Sequence, residues 1–341
     1  MISKNIICLI VICILFSIGH SGIAQVANDT RYYETYPDHI IGRLYLSRKY
    51  TAVKIRDNVE NQDYLFSPNT TLNHGVGATY KFATLNLAYG FDILNPDRGQ
   101  GETKYLDLQV HAYPKNFILD MFGQFYSGYH LSPQGFAAPP SENFYVSPDM
   151  VVTKIGAFGQ YLFNGDKLSL RASFLQNEWQ KRSAGSFLVG FEMYGGRVMS
   201  DSTLLPVNVV EDPARNFRTL RFFNFGPNAG YAYTLVIKKH WFVTTSATMN
   251  LNFGYSMLEG QLDRNTEWGI RPNMFLRAFA GYNSDKWSIN ANYVYNEVRF
   301  ANNQQFSNSI MTGNYRLNFI YRFQPGPQSK RYLKVIDDIA D

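Results

Sequence analysis

Apolar and polar side chains alternate with a period of two along segments too long for ordinary strands, and this limits the fold more than any other property of the sequence. From Trp241 to Met257, the residues Trp241, Val243, Ala247, Met249, Leu251, Phe253, Tyr255 and Met257 oppose Thr244, Ser246, Thr248, Asn250, Asn252, Gly254 and Ser256. Successive strand side chains point to opposite faces, so this stretch has one apolar and one polar face. The pattern recurs with Leu72, Val76, Ala78 and Tyr80, with Leu85, Leu87, Tyr89 and Phe91, with Trp287, Ile289 and Ala291, and with Tyr315, Leu317, Phe319, Tyr321 and Phe323. Globular strands average about five to six residues, and these segments run well beyond that. The opposing face is Gly, Ser, Thr and Asn with scattered charge, which suits a wet lumen rather than a second sheet. Only closed barrels cross lipid with strands, because lipid leaves no partner for an open edge.

Composition agrees. Phe, Tyr and Trp make up 16 % of the 341 residues, with 24 Tyr and 26 Phe, while mean hydropathy is slightly negative. A barrel places such residues in girdles at the two water–lipid boundaries. No apolar run in the body reaches the roughly eighteen residues that a spanning helix needs. The one apolar run is at the start: Lys4, then Ile6 to Ile18, then the small-x-small site Gly22-Ile23-Ala24. It reads as an export signal over residues 1–24, cleaved before Gln25. Cys8 and Cys13 both lie inside it, leaving the mature chain without a thiol. A net charge of +5 without Lys/Arg runs gives no case for nucleic acid.

Turn chemistry near Phe82-Ala83, Pro114-Lys115, Asn164-Gly165-Asp166, Gly195-Gly196, Lys238-Lys239 and Asn283-Ser284-Asp285 marks tight connections. Long ones fall near residues 57–71, 93–103, 132–148, 206–220, 258–270 and 301–308. With tight turns facing the periplasm, the order works if Gly195-Gly196 is a turn. The expectation is an all-β chain: a transmembrane antiparallel up-and-down barrel of about 14 strands over residues 40–323. Twelve strands is the alternative, reached by demoting Leu44–Val53 and Val198–Leu205. Residues 25–39 would form a periplasmic segment. Gln324-Pro325-Gly326-Pro327 ends the pattern, and residues 324–341 would form a periplasmic tail with Leu333, Ile336 and Ile339 on one face.

The chain resembles the domain-of-unknown-function family DUF4421, found in Bacteroidota and grouped with outer-membrane barrels. The resemblance runs from about Tyr32 to Phe323 and rests on five stretches of sequence. They are Arg43-Leu44-Tyr45-Leu46-Ser47-Arg48-Lys49-Tyr50, Gly75-Val76-Gly77-Ala78-Thr79-Tyr80-Lys81, Lys104-Tyr105-Leu106-Asp107-Leu108-Gln109, Glu178-Trp179-Gln180-Lys181-Arg182-Ser183-Ala184-Gly185-Ser186 and Gly226-Pro227-Asn228-Ala229-Gly230-Tyr231-Ala232-Tyr233. It implies location and architecture, and brings no catalytic residue. The ending Tyr321-Arg322-Phe323 resembles the aromatic final strand read by barrel-assembly machinery, although here it is internal.

Polar candidates for the lumen are Lys81, Asp92, Asp107, His111, Asp120, Gln124, Arg171, Glu192, Arg277, Arg316 and Arg322. Both signs occur, so a filter of one polarity is not indicated, and such charges inside a barrel must be paired or hydrated. Trp179, Trp241, Trp287, Tyr321 and Phe323 are candidate interfacial anchors, with Glu178 to Arg182 expected as an external turn. No HExxH or carboxylate-rich loop appears, and no metal or other cofactor is expected; a site on His111 and His130 with Asp107, Asp120 and Gln124 is the weak exception. Ser183 and Ser186 lack a Gly-x-Ser-x-Gly context and a nearby His, so the chain is not expected to be an enzyme. The leading expectation is a conduit or binding protein for small solutes or lipophiles in the outer membrane. The second is a plugged structural or assembly subunit of an envelope complex, and a rim lipid or peptide hydrolase is third. Expected partners are outer-membrane lipid, barrel-assembly machinery and a periplasmic protein on the C-terminal tail.

Overall fold

The computed structural model describes residues 29–328 apart from 81–82, 114–115, 207–216, 261–263 and 302, together with residue 333. The expected signal, Lys81, the turn at Pro114-Lys115 and most of the expected tail helix lie outside the described residues. The alternating segments form long antiparallel strands: β1 (Tyr33–Thr35), β2 (Ile40–Asp57), β3 (Gln62–Ser67), β4 (Asn73–Tyr80), β5 (Ala83–Gly90), β6 (Lys104–Ala112), β7 (Phe117–Ser132), β8 (Val146–Leu162), β9 (Glu178–Gln180), β10 (Ala184–Met199), β11 (Thr219–Ile237), β12 (Trp241–Glu259), β13 (Arg264–Asn283), β14 (Trp287–Arg299) and β15 (Phe306–Phe323).

Thirteen of these strands share one sheet, and ten close a ring in the order β2, β3, β7, β8, β10 to β15, sealed by β15 on β2. The sealing register runs from Phe323 opposite Ile40 to Phe306 opposite Asp57. We call the end with Ile40 and Phe323 proximal and the other distal. β3 and β4 lie end to end against β2, β3 on Val53–Asp57 and β4 on Ile41–Ser47. β5 pairs with β4, and β6 pairs with β7.

The expected fourteen strands are therefore corrected. Gly195-Gly196 is not a turn: both residues lie inside β10, opposite Ile155 and Lys154 on one side and Phe223 and Phe222 on the other. Glycine is needed at 196 because a side chain there would run into the backbone carbonyl of Thr153 on β8, with the Phe222 ring next to it. Val198 still belongs to β10, which ends at Met199, while Leu204 and Leu205 turn into the interior. Nor does the alternative of twelve arise as expected, because Leu44–Val53 is the middle of β2. The supposed loop at 57–71 contains β3.

The ring's outer surface carries the apolar rows. Leu317 is 47 % exposed, Leu251 58 % and Met249 67 %, while Thr244, Ser246, Thr248, Asn250 and Asn252 on the other face of β12 are buried. So large a continuous apolar surface is not solvated by water in a monomer. Aromatic contacts bracket it. At the proximal end Trp241 meets Tyr282, Tyr282 meets Trp287, and Tyr321 meets Phe323, with centroids 4.7–5.1 Å apart. Nearer the distal end Phe253 and Tyr255 meet Trp268 at 5.6 and 5.2 Å. Along β12 the step from Trp241 to Phe253 is twelve residues. At about 3.3 Å per residue and a tilt of about 40° this is a height of roughly 30 Å, the thickness of a hydrocarbon core.

Candidate functional site in the barrel lumen

The inward face carries three successive layers. At the distal end it is apolar. Val53, Ile55, Tyr64, Phe66, Tyr129, Leu131, Val152, Val198, Val298 and Ile310 pack with Leu204, Leu205 and Phe217, which the connection from β10 to β11 brings inside. Phe222 stacks on Phe300 at 4.1 Å. Aliphatic and aromatic rows thus face both lipid and lumen here.

The middle layer is a buried polar network. Lys154, 1 % exposed, donates to Asn296 Oδ1 at 2.8 Å and Thr312 Oγ1 at 3.1 Å and lies over the Tyr194 ring. Glu192 accepts from Tyr194 Oη at 3.0 Å and Asn252 Nδ2 at 2.6 Å. Asp107 accepts from Lys49 Nζ at 3.2 Å, Gln124 Nε2 at 3.2 Å and Tyr126 Oη at 2.9 Å. Asp120 is paired with Arg277, and also meets His111 Nδ1 at 2.6 Å and Tyr113 Oη at 3.1 Å. Each carboxylate holds several donors, which is how buried charge is tolerated.

The proximal layer is built by the chain between β8 and β10. Leu168 and Leu170 are buried, a single helical turn α1 (Arg171–Phe174) follows, and β9 pairs with β1. Barrel strands grip this plug: Ser173 Oγ meets Thr244 Oγ1 at 2.6 Å, Ser288 Oγ donates to Gln176 Oε1 at 2.8 Å, and Arg322 Nη2 donates to the Gln176 carbonyl at 3.2 Å. Phe174 packs on Phe279 with centroids 4.5 Å apart. Inside the plug, Glu178 accepts from Ser169 Oγ and faces Arg171 Nε at 3.5 Å. Burial pushes the Glu178 carboxyl above its ordinary value, with Arg171 and Ser169 pulling the other way.

Among the sequence candidates, Asp107, His111, Asp120, Gln124, Glu192, Arg277 and Arg322 lie on inward positions of barrel strands in these networks. Arg316 is also inward, its guanidinium 4.4 Å over the Tyr45 ring. Arg171 belongs to the plug, not to a barrel strand. Lys81 and the Asp92 side chain are outside what is described. Sequence reasoning missed Lys49, Lys154 and Arg43, although each occupies the polar side of an alternating segment; that parity was the available signal.

Trp241, Trp287, Tyr321 and Phe323 stand on the outer surface at 38–56 % exposure. Trp179 does not, and its expected role as an interfacial anchor is corrected. It is 4 % exposed, clustered with Tyr36, Ile41 and Ile320, and donates to the Lys239 carbonyl at 2.8 Å. The stretch Glu178 to Gln180 is a strand at the proximal end, not an external turn, because β1 offers it a partner inside the mouth. His111 and His130 do not meet: His130 sits ten residues beyond Asp120 on β7, beside Gln100 Nε2 at 3.2 Å and the Phe144 ring. Ser183 Oγ accepts from the Val236 amide and Ser186 Oγ from the Asn164 amide, both at 2.9 Å, which ties down strand ends.

Among solved structures the chain is similar to the outer membrane protease OmpT from Escherichia coli, at 8 % identity over 85 % of this chain and 98 % of that one, with a TM-score of 0.38. It is similar to the toluene transporter TodX of P. putida, at 7 % identity over 85 % and 91 %, TM-score 0.26. A FadL homologue of Pseudomonas aeruginosa gives 12 % identity over 83 % and 90 %, TM-score 0.27. No curated protein matches the chain. The sequence stretches noted above fall within a single family match covering residues 27–323, and the chain belongs to that family, described as Domain of unknown function (DUF4421).

Proposed function

We propose that this is an outer-membrane barrel without an axial aqueous path, serving as a membrane-embedded, plugged subunit of a cell-envelope assembly. The observation that carries the reading is the filling of the lumen at three levels. Apolar side chains close the distal end, a buried hydrogen-bonded layer occupies the middle, and the plug closes the proximal mouth. An ion would have to displace buried partners in each layer, at a cost of several unsatisfied polar groups. The filling favours a plugged subunit over an axial conduit. The proximal face, formed by β1, β9 and the tight turns, is then the surface offered to a periplasmic partner, and barrel-assembly machinery the route of insertion.

Planar-bilayer recording tests this. The full chain is expected to be silent, and a variant with residues 167–177 replaced by a short Gly/Ser linker is expected to remain silent or flicker, because two layers persist. Stable, ohmic single-channel openings from the full chain refute the reading.

A further inference from the structure

The barrel wall has a seam. β5 and β6 follow one another along the wall, yet among the described residues no backbone pairing joins them: β5 has β4 as its only neighbour and β6 has β7. Distally the seam is bridged by β3, which pairs with both β2 and β7. It is also tied by Asn73 Nδ2 to Tyr105 Oη at 3.1 Å and by Asn69 Nδ2 to the Gly101 carbonyl at 2.8 Å. Below those ties the two free edges face the membrane level, with Leu85, Leu87, Leu106 and Leu108 47–66 % exposed along the rims. The inward-facing residue Asn86 on β5 is exposed as well, so the slot opens to the inside.

Behind the slot lies positive charge without a counter-ion. Arg43 on β2 is 7 % exposed; its Nη2 donates to Thr79 Oγ1 at 2.7 Å and the Leu175 carbonyl at 3.0 Å, and its buried Nε has no partner. Arg316 on β15 lies 4.4 Å over the Tyr45 ring, its buried Nε likewise without a partner. Tyr45 in turn reaches β5, where its hydroxyl donates to the Leu87 carbonyl at 3.2 Å. Among the described residues, the acidic group on this side is Asp107, and it is already held by Lys49, Gln124 and Tyr126. Among the described residues neither guanidinium has a carboxylate in ion-pair reach, whereas Arg277 has Asp120. Two desolvated cations on adjoining strands repel each other unless an anion joins them.

We propose that the slot between β5 and β6 is a lateral binding site for an anionic membrane amphiphile. Its carboxylate or phosphate head sits between Arg43 and Arg316, and its chain leaves through the slot along Leu85, Leu87 and Leu108 into lipid. A guanidinium fork matches either head group, and the apolar rims match the chain. The site does not depend on the axial path, so it stands whether or not the plugged-subunit reading does.

The test is equilibrium binding to the full chain in a neutral detergent, using oleate and oleoyl-lysophosphatidate against oleyl alcohol, with inorganic phosphate as competitor. Expected is one saturable site per chain for at least one of the anionic probes, about tenfold or more tighter than the alcohol. Arg316→Gln should abolish that preference, whereas Arg316→Lys, which keeps the charge, should retain most of it. Heat-modifiable gel mobility identifies the folded fraction of each variant, and binding is expressed per folded chain. The proposal is overturned if neither anionic probe binds more tightly than the alcohol, or if Arg316→Gln binds them as the parent does. It is also overturned if phosphate alone competes at equal concentration, which would mark a site for free anions rather than for a membrane amphiphile.

Discussion

Replacing Arg277 with Met should destabilise the barrel far more than its size suggests, and replacing Asp120 at the same time should restore most of the loss. The two side chains form an ion pair with 4 % and 2 % side-chain exposure. Removing one partner of such a pair costs about 3–5 kcal/mol, because the other charge stays buried. Two features moderate this. Asp120 keeps His111 Nδ1 at 2.6 Å and Tyr113 Oη at 3.1 Å, and Met refills much of the space against the Phe275 ring, now 4.0 Å from the guanidinium. The lower end of the range applies, about 3 kcal/mol, or roughly a hundredfold in the folding equilibrium. Asp120→Asn should cost a similar amount by stranding Arg277 among Phe158, Phe174 and Phe275. The double variant leaves no charge and should lose under about 2 kcal/mol, less than either single change. Urea unfolding in micelles, followed by tryptophan emission and by gel mobility, gives all four corners of the cycle. Additive losses, or an Arg277→Met loss below about 1 kcal/mol, would refute the view that this pair is a desolvated unit.

Other outcomes follow from the same geometry. The chain has four tryptophans, and Trp241, Trp268 and Trp287 are 40–62 % exposed on the outside while Trp179 is 4 % exposed in the plug. Single-tryptophan variants in brominated lipid should therefore be quenched strongly for the first three and little for Trp179; strong quenching of Trp179 would place the plug elsewhere. Because burial raises the Glu178 carboxyl above its ordinary value, the docked plug binds that proton more tightly than the undocked one. Docking is accordingly firmest below the ordinary pKa and weakens as pH rises through the raised value. Acrylamide quenching of Trp179 should increase from pH 4 to 7.5, and Glu178→Gln should flatten that profile. Gly75→Leu would drive a side chain into the Tyr45 ring that lies across it and cost about 1–3 kcal/mol of stability, measurable by the same urea titration; a neutral result would mean that Tyr45 is free to move away.

Which face of each strand meets lipid was legible because one physical rule acts at every position: a side chain on the outside has only acyl chains for solvent. Hence Met249, Leu251 and Leu317 could be placed from parity alone, and so could Glu192 and Arg277 on the opposite side. Legibility fails where the inside is apolar too. At the distal end Val53, Ile55, Val298 and Ile310 face inward, so the alternation fades just where the strands end and loops begin. It fails again at residues 167–177, where Leu168, Leu170, Ala172 and Phe174 alternate as a strand would. That stretch packs into the mouth and forms a helical turn instead. Reading a strand there and a turn at Gly195-Gly196 adds two strands together, which keeps the termini on one side and leaves no contradiction to notice.

Pairing is a different kind of information from facing. Leu85, Leu87 and Tyr89 on β5, and Leu106, Leu108 and Val110 on β6, are as regular as any wall strand, and nothing in either segment indicates that the two edges fail to meet. The partner of a strand is set by backbone groups that every residue carries alike, so composition is silent about it. What breaks the pairing lies elsewhere, in β3, whose Leu65, Phe66 and Ser67 take the upper part of β7 that a regular meander would have left to β6. A chain can therefore display its membrane-facing surface openly in its sequence and still conceal the gap in that surface. The remaining trace of the gap is electrostatic: Arg43 and Arg316 stand on adjoining strands behind it, with the nearby carboxylate already taken.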